Sequence, residues 1–252
     1  MFAIIGGSGL AKLSALEATR RQVVRTPYGE PSGALTFGRL GGAEVVFLAR
    51  HGYGHTIAPH EINYRANLWA LKDLGVAGII SLATVGGIRA DLGPGTLVVP
   101  DQIIDYTHSR KATFFEGAEQ PVTHIDFTWP YSAALRQRLL VAAQACGEAL
   151  IDGGVYACTQ GPRLETAAEI ERIARDGGEL VGMTGMPEAA LAREAQLEYA
   201  ALAVVVNHAA GRGDSRQAIA LDALATVLNA TVTRAVRVIE AAVRADATGA
   251  AS

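Results

Sequence analysis

The chain alternates short apolar runs with longer stretches in which apolar positions recur every three to four residues. Phe2-Ala3-Ile4-Ile5 predicts a first strand that runs directly into Gly6-Gly7-Ser8-Gly9. Further strands are predicted over residues 34–37, 44–49, 76–83, 96–99, 154–158, 180–183 and 199–206. Helical spacing predicts helices over 61–74, 131–145, 165–175 and 187–196, and a long Ala-rich one from 215 to about 245. In the first of these, Ile62, Ala66, Trp69 and Ala70 form the apolar stripe, and Gly75 stands where a terminating glycine belongs. Gly177-Gly178 closes the third helix, and Pro187 opens the fourth. Strands alternating with helices imply an α/β fold around a buried central sheet. No linker-like stretch breaks the pattern, so residues 1–252 are expected to form one domain, with about 246–252 as a frayed tail.

Composition adds exclusions. Half of the residues are hydrophobic, 19% are charged, and the formal net charge is −3. That balance suits a well-buried core and gives no reason to expect a nucleic-acid partner. Cys146 and Cys158 lack metal-ligand spacing and read as buried thiols in a reducing compartment. The opening residues have no basic segment of the kind a signal peptide carries. The longest apolar run, 76–88, is interrupted by Gly78, Ser81, Thr84, Gly86 and Gly87, which makes it a strand and turn rather than a membrane span. A soluble, cytoplasmic protein with no membrane partner is the expectation.

Loops with unusual chemistry follow the apolar runs that end at Ile5, Ala49, Ala83, Cys158, Met183 and Val206. Ligands gather at the carboxyl ends of strands in open α/β sheets, so these loops point to one composite site. Gly6-Gly7-Ser8-Gly9 lets backbone N–H groups and a hydroxyl approach an anion, although a plain tight turn explains it equally well. Its spacing matches neither a dinucleotide fingerprint nor a P-loop. In Arg50-His51-Gly52 the guanidinium offers a two-pronged donor for an oxyanion, and the imidazole adds another. His51, His55 and His60 stand on a Gly-broken loop without a shared face, so no metal is expected. A similar Arg-His-Gly triplet marks histidine phosphatases, but there it follows the first strand, and that reading leaves the other loops unexplained. Glu165 and Thr184 stand at helix starts, where polar first-turn residues have a structural role of their own. Asn207 ends a strand, where a turn asparagine is the plainer account.

Taken in order, these segments resemble the family of purine nucleoside phosphorylases and methylthioadenosine phosphorylases. The resemblance runs from Ile4-Ile5-Gly6-Gly7-Ser8-Gly9 through Ala49-Arg50-His51-Gly52, Ile62-Asn63-Tyr64-Arg65-Ala66-Asn67 and Gly86-Gly87. It continues with Gln160-Gly161-Pro162-Arg163 and Gly182-Met183-Thr184-Gly185-Met186-Pro187-Glu188, and reaches Asn207. It implies a mixed, partly barrel-like central sheet flanked by helices, and a homotrimer with sites at subunit boundaries. The implied reaction is phosphorolysis, with inorganic phosphate as co-substrate and no cofactor. Phosphate would sit among Ser8, Arg50, His51 and Thr184, helped by backbone near Ala83-Thr84. The family often has a polar side chain where this chain has Ala83, which leaves Thr84 open as a ligand. Met183 and Leu164 would lie against the ribose and base, with Glu165, Asn207 and Ala209 around the purine.

Phosphorolysis builds positive charge on the ribose and negative charge on the departing purine. Donors aimed at the base and an anion under the anomeric carbon therefore suffice, and no covalent nucleophile is needed. By resemblance, Asn207, Glu165 and His51 carry the catalysis. Adenine-cleaving relatives have Asp at the positions of Asn207 and Ala209. Asn207 can instead donate to purine N7 and a 6-oxo group, while Glu165 accepts from N1–H, which adenine lacks. Around the 5′ end, Ile219, Ala220 and Ala223 form an apolar wall, and His124 resembles a His that methylthioadenosine phosphorylases send across a subunit boundary. A 6-oxo base pocket with an apolar 5′ pocket implies 5′-methylthioinosine, giving hypoxanthine and 5-methylthioribose 1-phosphate. Inosine or guanosine follows instead if residues 218–223 simply face the core. Methylthioadenosine cleavage and a non-catalytic nucleoside-binding protein complete the alternatives.

Overall fold

The central strands are apolar on both faces, which commits the sheet to helices on both sides. The structure is a computed structural model. It describes residues 1–7, 13, 15–117 and 120–249, without the side chains of 221–223 and 245–249. In chain order the elements are β1 (Phe2–Gly6), β2 (Glu17–Gln22), β3 (Leu35–Leu40), β4 (Ala43–Ala49), α1 (Tyr64–Asp73) and β5 (Gly78–Gly87). Then come β6 (Leu97–Val99), β7 (Gln102–Asp105), α2 (Ala133–Ala145), β8 (Ile151–Asp152), β9 (Val155–Cys158) and α3 (Ala167–Arg175). The last are β10 (Leu180–Gly182), α4 (Glu188–Glu194), β11 (Tyr199–His208) and α5 (Leu221–Gly249), with a short 3-10 turn over Gly213–Ser215.

One 11-stranded mixed sheet runs β2-β3-β4-β1-β5-β10-β9-β7, with β11 pairing both β5 and β6 and β6 pairing β8. The sheet branches at β5. Its first half lies parallel to β1, its last two residues pair antiparallel with β10, and β11 runs parallel to it along its length. The two-residue period sorts side chains between two cores. Ala3, Ile5, Val46, Leu48, Ile79, Ala201 and Ala203 face a core closed by α1 and α4. Phe2, Ile4, Val45, Phe47, Ile80, Leu202 and Val204 face the opposite core, closed by α2 and α5. Burying one such aliphatic side chain contributes roughly 1.5–3 kcal/mol, so a one-residue slip of β1 or β11 would forfeit much of both cores.

Helix boundaries follow their caps. Asn63 accepts from the Ala66 amide and starts α1. Gly75 takes φ +65° just beyond its end. Thr166 and Glu169 form a reciprocal capping box, so α3 starts after Thr166 rather than at Glu165. That leaves Glu165 in the loop.

Several expectations need correction. The last helix begins at Leu221, not near Ser215. Gly211 and Gly213 both take positive φ, and residues 216–218 are exposed, so the segment has no apolar face to pack as a helix. The same helix extends to Gly249, so 246–249 are helical backbone, while 250–252 lie outside the described residues. β5 runs on to Gly87 and β11 to His208, which places Thr84 and Asn207 inside strands rather than after them. Three strands were not predicted. β2 has the sequence EATRRQ and is almost wholly exposed, with Arg20 laid over the Phe37 ring at 3.8 Å. β7 is half-buried, and β8 spans only Ile151–Asp152. None of the three has an apolar run to betray it.

Candidate active site

The ends of β1, β4, β9 and β10 and the last residues of β5 and β11 converge on a cavity of about 520 Å³. Gly7, Arg50, His51, Thr84, Gly86, Pro162, Leu164, Glu165, Met183, Thr184, Asn207 and Ala209 all line it. Each of the six predicted loops or strand ends therefore contributes. The structure brings Arg50, His51, Thr184, Met183, Leu164, Glu165, Asn207, Ala209 and Ile219 together. Thr84, whose role was open, also faces the cavity.

Four expected residues stand apart. Ser8 lies outside the described residues, as does the side chain of Ala223. Ala220 is exposed and does not line the cavity, because the chain is still a loop there and turns it outward. Leu224 and Leu228 of α5 line the cavity together with Ile219. His124 is exposed on the long segment between β7 and α2, and it does not reach the cavity of its own chain.

The polar end of the cavity is built around a buried cation. Arg50 is 1% exposed and its pKa is raised. Burial disfavours the cation, but the charge and hydrogen bonds of Glu188 outweigh it. Arg50 Nε donates to Glu188 Oε2 at 2.7 Å and Nη2 to Oε1 at 3.0 Å. Nη2 also donates to Ser81 Oγ at 2.6 Å, and Nη1 donates to the Leu82 carbonyl at 3.0 Å. A guanidinium has five N–H donors. The two-pronged face is thus spent on Glu188, and one Nη1 hydrogen is left for an oxyanion. This corrects the expectation of a fork aimed at phosphate. Gly7 makes the arrangement possible: a Cβ there would lie 2.8 Å from the Leu82 carbonyl oxygen and 2.9 Å from Arg50 Nη1.

Glu188 is fully buried and also accepts from Ser81 Oγ at 2.7 Å and Tyr199 Oη at 2.8 Å. Sequence reading assigned no role to Glu188 or Ser81. An acid straight after Pro187 at a helix start looks like an exposed dipole-favoured residue, and only its burial reveals the pairing with Arg50.

His51 is held by its Nδ1, which lies 2.8 Å from the Ile57 carbonyl. A carbonyl only accepts, so Nδ1 carries the proton and Nε2 of the neutral ring is an acceptor. Burial, with the adjacent Arg50 cation, pulls the His51 pKa down to about 4. The unfolded chain therefore binds a proton at ordinary histidine pH that the folded chain refuses. The His51 contribution is fully present above about pH 6.5 and is lost as pH falls toward 4. Over that window the Tm of the wild type is expected to fall more steeply than that of His51→Gln. Parallel melting curves for the two proteins would place the imidazole in water instead.

Two further polar side chains of the cavity, Glu165 and Asn207, are each held by a neighbour. Thr159 Oγ1 donates to Glu165 Oε1 at 2.5 Å, which fixes that carboxylate at the loop after β9. Asn207 Nδ2 donates one hydrogen to the His208 carbonyl at 2.6 Å. A bulge between Val205 and Asn207 shifts the register of β11 against β5 and re-aims the residues that follow. Val206, Asn207 and Ala209 all reach the cavity in consequence. Glu165 also borders a neighbouring cavity of about 610 Å³, to which His60 contributes. Among the described residues no group of His, Cys, Asp and Glu is placed to hold a metal.

The Phosphorylase superfamily profile matches residues 1–244. The chain belongs to the phosphorylase superfamily. It is 57% identical over 212 residues to a protein of Pseudomonas syringae pv. tomato named probable S-methyl-5′-thioinosine phosphorylase, a match covering 84% of this chain and 86% of the relative. It is 51% identical over 214 residues to a 6-oxopurine nucleoside phosphorylase of Pyrococcus furiosus, covering 83% and 80%. Among solved structures, methylthioadenosine phosphorylase from Schistosoma mansoni in complex with adenine superposes with a TM-score of 0.92 at 32% identity. That match covers 98% of this chain and 92% of the other. Membership of this phosphorylase family removes the histidine-phosphatase reading of Arg50-His51-Gly52, and the mixed, helix-flanked sheet is the one the resemblance implied.

Proposed function

We propose that this phosphorylase cleaves 5′-methylthioinosine with inorganic phosphate, giving hypoxanthine and 5-methylthioribose 1-phosphate. The observation that carries the reading is that one cavity is lined by three chemically distinct sets of side chains. Arg50, His51 and Thr184 form the oxyanion wall. Asn207 and Glu165 offer a neutral donor and a fixed acceptor to a 6-oxopurine. Ile219, Leu224 and Leu228 give the 5′ end an apolar wall that leaves a hydroxyl unpartnered and suits a thioether. Met183 and Leu164 also line the cavity, and in this reading the ribose rests against them.

In this mechanism phosphate attacks the anomeric carbon as the C–N bond breaks. The Arg50 cation and the Thr184 region hold the oxyanion beneath the sugar. His51 Nε2 accepts a hydrogen bond from a protonated phosphate oxygen. Asn207 donates to the departing base, where negative charge develops, and Glu165 holds its N1–H. No cofactor takes part.

The proposed assembly is a homotrimer in which His124 reaches the 5′ pocket of a neighbouring copy. Its exposure on a long loop, away from its own cavity, supports that role. The proposed compartment is the cytoplasm, in keeping with two free thiols, Cys146 and Cys158. Among the described residues no helix is long and apolar enough to cross a membrane.

The deciding experiment compares methylthioinosine, methylthioadenosine and inosine, with and without phosphate. Base release from methylthioinosine that requires phosphate, and exceeds release from the other two, is expected. Preference for inosine would move the assignment to ordinary 6-oxopurine nucleosides. Binding without turnover would reduce the chain to a nucleoside-binding protein.

A further inference from the structure

We propose that Arg110 is a positioning residue that fastens the two substrate-binding loops together beneath the site. The inference rests on the nucleoside phosphorylase reading. Arg110 comes from the irregular segment that follows β7 and is half-buried. Its Nη1 donates to the carbonyls of Met183 at 2.8 Å and Met186 at 2.5 Å, both in the loop after β10. Its Nη2 donates to the carbonyls of Gln160 at 2.8 Å and Thr159 at 3.3 Å, both in the loop after β9. Nε reaches Gln160 Oε1 at 3.2 Å, and Nη1 also reaches Tyr64 Oη at 3.2 Å. Tyr64 in turn donates to the Pro59 carbonyl at 2.9 Å.

None of these acceptors is a carboxylate. An arginine whose donors all go to neutral backbone and side-chain oxygens is not serving an ion pair; its planar fork is being used for shape. The loops it joins carry Glu165 on one side and Met183 and Thr184 on the other, and Pro59 lines the same cavity. The loops meet closely at this point: a Cβ on Gly161 would lie 2.5 Å from Met183 Sδ and 3.4 Å from Pro59 Cγ. The base-binding and ribose-binding walls thus share one fastening, and their separation depends on it. A lysine has its three donors on one nitrogen and cannot span both loops as the two Nη atoms of Arg110 do.

The test measures kcat, per folded molecule and at saturation in both substrates, for wild type, Arg110→Lys and Arg110→Ala. Misplacement of reacting groups by a fraction of an ångström should reduce kcat by about 10- to 100-fold in both variants. Added substrate cannot repair such a loss. Ethylguanidinium should restore Arg110→Ala several-fold, whereas ethylammonium should not. Amide hydrogen exchange over 159–165 and 183–186 should rise together in Arg110→Lys, and this readout stands without any activity. Wild-type kcat in folded Arg110→Lys, or faster exchange in only one of the two loops, overturns the proposal. Lack of phosphate-dependent base release by the wild type would defeat the functional reading instead, and the exchange measurement would still judge the clamp.

Discussion

Glu188→Ala is expected to lower the Tm by roughly 10 °C and to make the remaining stability depend strongly on inorganic phosphate. Glu188 is the counter-charge of a guanidinium that is itself almost wholly out of water. Removing one partner of such a pair leaves an uncompensated buried charge and costs about 3–5 kcal/mol. A domain of this size loses about 2–4 °C per kcal/mol. Ser81 and Tyr199 lose an acceptor in the same step. A bound phosphate can supply part of the missing negative charge, because Arg50 borders the cavity. The rise in Tm on adding phosphate should therefore be larger in the variant than in the wild type. Thermal melts of both proteins, with and without phosphate, decide the matter. A variant as stable as the wild type would mean that Arg50 finds its counter-charge elsewhere.

The pairing also explains how one arginine serves both fold and site. Its fork is held by α4 and its Nη1 by the β5 backbone, and the residue lines the cavity. A phosphate bound as proposed would therefore meet a cation whose direction is set before binding. A guanidinium that had to reorient would spend part of its attraction on ordering itself. The neutral His51 beside it adds an acceptor, which in the proposed mechanism suits an oxyanion that still carries a proton.

What could be read in advance divides along a physical line. β1, β4, β5 and β11 are buried along most of their length, and their largely apolar runs are visible in the chain. β2 lies at the sheet edge with charged residues outward, so its pairing with β3 leaves no local trace. That Arg50, Glu165, Thr184 and Asn207 share one cavity was legible because unusual polar residues follow apolar runs. The Arg50–Glu188 pair was not, since 138 positions separate the partners and nothing local to either names the other. Arg110 was missed for a similar reason. Its acceptors are backbone carbonyls, which every residue possesses, so only the folded chain shows which ones it joins.

Asn207→Ala is expected to lower kcat/KM for methylthioinosine by about 30- to 1000-fold, which is roughly 2–4 kcal/mol of transition-state stabilisation. The loss falls mainly in kcat, because the hydrogen bond to the base strengthens as negative charge reaches the purine. One amide hydrogen of Asn207 is already given to the His208 carbonyl, so the other is the donor at stake. Fold stability should change little by comparison, since the side chain is only half-buried. Converting Asn207 and Ala209 together to Asp tests the base assignment from the other side. A carboxylic acid at 207 can protonate a leaving purine, and a second carboxylate at 209 can accept from a 6-amino group. Ala209 is 2% exposed and lines the cavity, so a carboxylate there is well screened from water and acts strongly on the bound base. The ratio of kcat/KM for methylthioadenosine over methylthioinosine should rise by at least about tenfold, the range in which buried donor–acceptor mismatches discriminate. If that ratio stays at the wild-type value, Asn207 and Ala209 do not choose the base, and the selectivity must come from Glu165 alone.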